Sequence, residues 1–94
     1  MIETKFKDFL KEQMNDPDFR KEYEALEFED AIAQSLVYAR KSSRLTQKQL
    51  SKKTGVTQPD ISKIENGNAN PSIRTLKRLA DGMGMKIKLE FIPA

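Results

Sequence analysis

The sequence contains no cysteine and no histidine. Without cysteine there is no disulfide, no thiol nucleophile and no thiolate metal site. Without histidine the commonest general base and the commonest metal ligand are missing too. The remaining carboxylates, lysines and hydroxyls form no nucleophile–base pair or metal constellation, so we expect no enzymatic activity, no cofactor and no metal. No apolar run approaches the ~18 residues of a membrane span, and the N-terminus lacks the apolar stretch of a secretory signal. The expectation is a soluble, cytoplasmic protein with no membrane partner. At 94 residues there is room for one domain and an appended element, with stability often supplemented by oligomerisation.

What the chain does have is charge, unevenly divided. The net charge of +3 is made of −5 over residues 1–30 and +8 over residues 31–94. A basic segment fits a polyanion, and an acidic one suits water or a basic partner.

Hydrophobic spacing predicts helices almost throughout. Phe6, Phe9, Leu10 and Met14 share one face of a helix over residues 4–14. Asp16 and Pro17 then read as a cap and a first helical residue. The next helix carries Phe19, Tyr23 and Leu26, and a third, from about Phe28 to Ser42, turns Ile32, Leu36 and Ala39 inward. Thr46 with Gln49 forms a capping box that starts a short helix, which Gly55 ends in a left-handed conformation. Val56 plugs the turn, Thr57 caps a second short helix in which Pro59 is tolerated in the first turn, and Gly67 stops it. Asn70-Pro71-Ser72 reads as a cap with proline at the first position of a further helix, whose inner stripe is Ile73, Leu76, Leu79, Ala80 and Met83 and which Gly84 ends. Finally Ile87, Leu89 and Phe91 alternate with Lys86, Lys88 and Glu90, the pattern of a half-buried strand. A lone strand needs a partner, so we expect two copies to pair antiparallel as a homodimer through Ile87, Leu89 and Phe91.

Two helices of about eight residues joined by a glycine turn are not stable alone and need flanking helices. Leu-Thr-Gln-x-x-Leu over 45–50, Gly55 at the turn, Ile-x-x-Ile-Glu-Asn-Gly over 61–67 and Asn-Pro-Ser over 70–72 resemble the helix-turn-helix of the XRE, or phage-repressor-like, family over roughly Phe28 to Gly84. The resemblance implies an all-α, five-helix helix-turn-helix bundle, here with an N-terminal helical extension over 1–27, the helix-turn-helix domain over 28–84 and a dimerisation strand over 85–94. It also implies that the helix Thr57–Glu65 lies in the major groove of duplex DNA. With Ile61 and Ile64 inward, Gln58, Ser62 and Lys63 face out, with Asp60 near them: Gln58 suits adenine and Lys63 guanine. By the same resemblance Gln47 and Asn66 would touch phosphates, and Arg40 would pair with Glu65 near the DNA backbone. Thr46, Lys48 and Thr57 complete the expected DNA-binding set. Two positions depart from the family. Ser51 replaces a customary alanine, and Pro59 stands where a polar base-reading side chain is common.

The run Asn15-Asp16-Pro17-Asp18-Phe19-Arg20-Lys21-Glu22-Tyr23-Glu24-Ala25-Leu26-Glu27, followed by this motif, resembles the HigA-type antitoxins of type II toxin–antitoxin modules. That resemblance implies a basic ribonuclease toxin of the RelE/HigB-like, mRNA-cleaving class as partner, and repression of the protein's own operon through a palindromic operator. The expected toxin-binding residues are Phe6, Phe9, Leu10, Phe19, Tyr23 and Leu26, with Glu22 and Glu24 steering the basic partner. The competing reading is a free-standing repressor whose N-terminal stripe is core.

Overall fold

Asp16 and Pro17 start the longest helix of the chain. In the computed structural model, which describes residues 8–9 and 11–93, Asp16 accepts the backbone N–H of Asp18 at 3.0 Å. Pro17 fills the first helical position, where its missing N–H has no intrahelical partner. Helix α1 then runs uninterrupted over Pro17–Ser42, 26 residues. The expected division near Leu26 and Phe28 is thereby corrected. No glycine, proline or capping pair falls between those residues, and pairs spaced by four, Arg20–Glu24 at 3.0 Å and Gln34–Asp30 at 2.9 Å, favour helix on either side. Of the first expected helix, residues 8–9 and 11–13 are described and helical.

Helix α2 spans Gln47–Thr54 behind the complete capping box of Thr46 and Gln49. Gly55, at φ +78°, ends it, and Val56 is buried in the turn. Helix α3 spans Gln58–Glu65 with Thr57 as its cap, and α4 spans Ile73–Gly82. The cap of α4 is Ser72, whose hydroxyl accepts from the Thr75 N–H at 3.1 Å. Asn70 is therefore not the cap and Pro71 lies outside the helix, because the serine nearest the helix satisfies its orphan donor directly.

Three helices end on one hydrogen-bond pattern. After α1 the N–H of Leu45 reaches the Arg40 carbonyl (3.2 Å) and that of Arg44 the Lys41 carbonyl (3.0 Å). After α3, Asn68 bonds to Lys63 and Gly67 to Ile64; after α4, Met85 bonds to Ala80 and Gly84 to Asp81. This is the Schellman arrangement, which puts one residue into left-handed backbone. That residue is Gly67 after α3 and Gly84 after α4, but Arg44, at φ +57°, after α1.

The core lies where the four helices meet. Leu36 of α1, Leu50 of α2, Val56 of the turn, Ile61 and Ile64 of α3 and Leu79 of α4 form one buried cluster. Leu50, Ile61 and Leu79 are fully enclosed, each stabilising the fold by about 1.5–3 kcal/mol through burial. Ile73, expected in the inner stripe, is 71% exposed, because it occupies the first position of α4, a turn ahead of the packed residues. Gly82 lies so close to α2 that a Cβ there would overlap the Thr54 methyl group. Residues 17–31 of α1 include no buried side chain, and Ile32 is the first of the helix to pack against the core, so the N-terminal half of the helix projects from the bundle. The radius of gyration of 16.0 Å exceeds the ~12 Å of a compact domain of this length.

The expected C-terminal strand is not present. Residues 85–93 have no regular secondary structure, and no strand occurs among the described residues. Alternation makes a segment two-faced, but a strand exists only when its backbone groups meet a neighbour's, and residues 86–93 make no backbone hydrogen bond to another described segment. The regular structure of the described residues is therefore all-helical, and the expected dimerisation strand over 85–94 is not formed.

Candidate nucleic-acid interface

The two isoleucines of α3 set its rotation. Both are buried, and at a spacing of three they share the inward face. Gln58, Pro59, Asp60 and Lys63 are consequently exposed, and Ser62 is partly so. Thr57 is committed at the helix start, its hydroxyl accepting the Asp60 N–H at 3.3 Å. Pro59 offers no donor, so the outward polar groups of the first turn are Gln58 and Asp60.

The N-terminus of α2 is held to the end of α3. The Thr46 hydroxyl accepts the Gln49 N–H (3.0 Å), and the Gln49 amide oxygen accepts the Thr46 N–H (2.8 Å). Gln47 donates from its side-chain amide to Glu65 at 3.2 Å. Lys48 and Asn66 are exposed.

Arg40 ties α1 to the same carboxylate. Its Nε and one Nη donate to the two oxygens of Glu65 at 2.7 and 2.9 Å, and the other Nη donates to the Leu45 carbonyl at 2.9 Å. The Arg40 and Glu65 side chains are only 14% and 6% exposed. An exposed pair would contribute only ~0–1 kcal/mol; this one is shielded and bidentate. The hydrogen bond to Glu65 raises the Arg40 pKa against the opposing effect of burial. Burial alone would raise that of Glu65, but hydrogen bonds from Arg40 and Gln47 and the charges of Arg40 and Lys41 outweigh it and hold the carboxyl below its ordinary range. One carboxylate thus joins α1, the start of α2 and the end of α3.

Of the residues expected to bind a toxin, Phe19, Glu22, Tyr23, Glu24 and Leu26 lie on the projecting half of α1 and Phe9 precedes it. Phe6 and Leu10 lie outside the described residues. Phe9 and Leu26 are exposed, Leu26 by 62%. Phe19 and Tyr23 are half-buried and stack on each other with ring centroids 6.2 Å apart. Glu22 and Glu24 are exposed, and Glu24 is paired with Arg20 at 3.0 Å. At the other end of the chain Ile87, Leu89 and Phe91 are exposed. Ile87 and Leu89 line a 450 Å³ apolar groove with Phe28 and Ile32 of α1 and Leu76 and Met83 of α4.

Sequence reasoning placed Glu65 opposite Arg40 but missed its bond to Gln47, since a separation of 18 residues carries no periodic signal. It also passed over Lys41 and Arg44. The absence of any glycine between Leu36 and Leu45, where a chain must turn from one helix into the next, was the available signal for Arg44.

Among the described residues no helix is long and apolar enough to cross a membrane. A helix-turn-helix family profile matches residues 36–89. The antitoxin HigA1 of Mycobacterium tuberculosis is 31% identical over 74 residues, covering 79% of this chain and 50% of that protein. An uncharacterised HTH-type transcriptional regulator of Haemophilus influenzae is 36% identical over 59 residues, covering 63% of this chain and 60% of its own. The chain thus spans only 50–60% of the length of these relatives. The crystal structure of an HTH_3-family transcriptional regulator from Vibrio cholerae superposes with a TM-score of 0.64 at 32% identity, covering 66% of this chain and 35% of that one. Profile, relatives and solved structure agree with the geometry of α2, Gly55 and α3, and the chain belongs to the helix-turn-helix family.

Proposed function

We propose that this chain is a sequence-specific DNA-binding repressor that also serves as an antitoxin, binding a basic RNA-cleaving toxin of the RelE/HigB-like class. The observation that carries the DNA reading is the exposed polar face of α3. Gln58, Asp60, Ser62 and Lys63 are presented on a helix whose rotation is set by Ile61 and Ile64 and whose end is bound to α1 and α2 through Glu65. A helix of this size fits the major groove, and amide, hydroxyl and ammonium groups match base edges there. Lys48, Asn66 and the amides at the start of α2 supply phosphate contacts, which fix register without reading sequence. A homodimer on a palindromic operator suits a single eight-residue reading helix, and the exposed Ile87, Leu89 and Phe91 side chains offer apolar surface for the contact between copies.

The antitoxin half of the proposal is favoured over a free-standing repressor by two observations. First, any 74-residue stretch of a 94-residue chain includes residues 21–74, so the similarity to HigA1 reaches into the projecting half of α1. Second, residues 17–27 of that half include none of the side chains packed on the core and present Leu26 with Glu22 and Asp30 four residues away on either side, the combination of apolar anchor and acidic rim that suits a basic partner. Neutralisation would be occlusion of the toxin's RNA-binding surface, with no chemistry by this chain.

The test is co-expression of the full chain with the product of the adjacent gene. Co-purification, relief of that product's toxicity and binding of the complex to the shared promoter are expected. Promoter binding without any association would leave the free-standing repressor.

A further inference from the structure

We propose that Arg44 is a DNA-phosphate contact, kept at a backbone position that glycine would occupy with less strain, and that with Lys41 and Lys48 it carries the interface across the junction of α1 and α2. This rests on the DNA-binding reading above and deepens it.

The reasoning starts from a comparison within the molecule. The same terminal hydrogen bonds close α1, α3 and α4, and the left-handed position is glycine in two of them and arginine in the third. Arg44 is the one non-glycine residue with positive φ among the described residues. A side chain there crowds its own backbone, and nothing in the turn uses it. The closing bonds are made by main-chain atoms alone. The Arg44 side chain is exposed and forms no hydrogen bond or ion pair among the described residues. Strain held at a residue whose side chain does nothing for the fold points to a use outside it.

The surroundings say which use. Arg44 follows Lys41, in the last turn of α1, and precedes by two residues Thr46, the cap of α2, whose first turn carries the exposed Lys48. Three cations therefore stand at one junction, with no acidic residue between Ala31 and Gln58 in the sequence; the nearby Glu65 carboxylate, which feels the Lys41 charge, is already engaged by Arg40. The junction is anchored to the reading helix: the Leu45 carbonyl next to Arg44 accepts from Arg40, whose other donors hold Glu65 at the end of α3. A duplex engaged by α3 would meet this turn in a fixed position, and a guanidinium matches two oxygens of one phosphate. The contact would position the duplex rather than read it.

Arg44→Gly separates this use from a structural one, because glycine relieves the left-handed strain while deleting the charge. The full chain is titrated against a fluorescein-labelled mixed-sequence duplex of about two helical turns, with anisotropy followed over a range of salt concentrations. Arg44→Gly should melt at the wild-type temperature or above it. It should bind about eightfold more weakly at ~0.1 M salt, with the slope of log affinity against log salt smaller by ~0.9, the value of one phosphate contact. Arg44→Lys should keep the wild-type slope. Unchanged affinity and slope in Arg44→Gly, with the wild type binding normally, would overturn this proposal alone. So would a melting temperature several degrees lower, since Arg44 would then be serving the fold. A wild-type chain that binds no duplex at all would overturn the DNA reading and this contact with it.

Discussion

The guanidinium of Arg40 and the carboxylate of Glu65, 25 residues apart, meet in a two-pronged hydrogen bond of 2.7 and 2.9 Å with both side chains shielded from water. Because Glu65 also accepts from Gln47 and Arg40 also donates to Leu45, losing either partner leaves a desolvated charge and loosens the register of α1, α2 and α3. The pair is therefore an orienting device for the reading helix as much as a source of stability.

Glu65→Gln should destabilise the fold by about 2 kcal/mol near neutral pH, the range of hydrogen bonds to charged groups, lowering the melting temperature by roughly 8–16 °C. The sign of the pH dependence follows from the depressed pKa of Glu65. Its stabilisation is fully present above the unfolded carboxylate value of about 4.3 and is lost as pH falls through the lower folded value. Thermal melts of both proteins should show a constant difference from pH 7 to about 5 that shrinks below about 4.3. A difference that does not change in acid would mean that the ionised pair contributes nothing.

Gly82→Ala should destabilise by about 1–3 kcal/mol, the usual effect of overpacking, because the new methyl group meets that of Thr54. Thr54→Ser removes the opposing methyl group but keeps the hydroxyl, which donates to the Leu50 carbonyl at 2.8 Å and accepts the Val56 N–H at 3.2 Å. The double variant should recover most of the loss in urea titrations. Additive effects of the two changes would show that they do not share the contact.

On DNA, Lys63→Ala and Lys48→Ala should fail differently. Lys63 stands on the outward face of α3, and its loss should weaken operator binding by ~1–3 kcal/mol and relax preference at one base pair. Lys48 lies at the start of α2, and its loss should weaken binding to all duplexes alike and flatten the salt dependence. Binding measured over a panel of single-base operator variants distinguishes the two. Identical profiles would remove α3 from the role of reader.

Leu26→Asp should leave the helical content and melting temperature close to those of the wild type, since Leu26 lies on the projecting half of α1 away from the core. It should also abolish protection of cells that express the toxin, because an apolar anchor is replaced by a desolvated charge. Full protection by this variant, at equal protein levels, would place toxin binding elsewhere.

The amino-acid sequence determined the local punctuation of this fold. Thr46 with Gln49, Thr57, Gly55, Gly67 and Gly84 act over three or four residues, so each cap or stop forms as read, and the spacing of Leu50, Val56, Ile61 and Ile64 was enough to assign the core. Tertiary structure decided what depends on distant partners. The fusion of two expected helices into α1 followed from nothing breaking the chain before Ser43. The end of α1 at Ser42 lies where it was expected, but the left-handed closure at Arg44 was hidden because that residue is not glycine. The alternating residues 86–91 form no strand, since alternation describes faces while a strand requires a neighbour. The meeting of Arg40, Gln47 and Glu65 at one carboxylate exists only once three helices are packed, because residues so far apart in the chain are brought within hydrogen-bond reach by the burial of the apolar side chains beneath them.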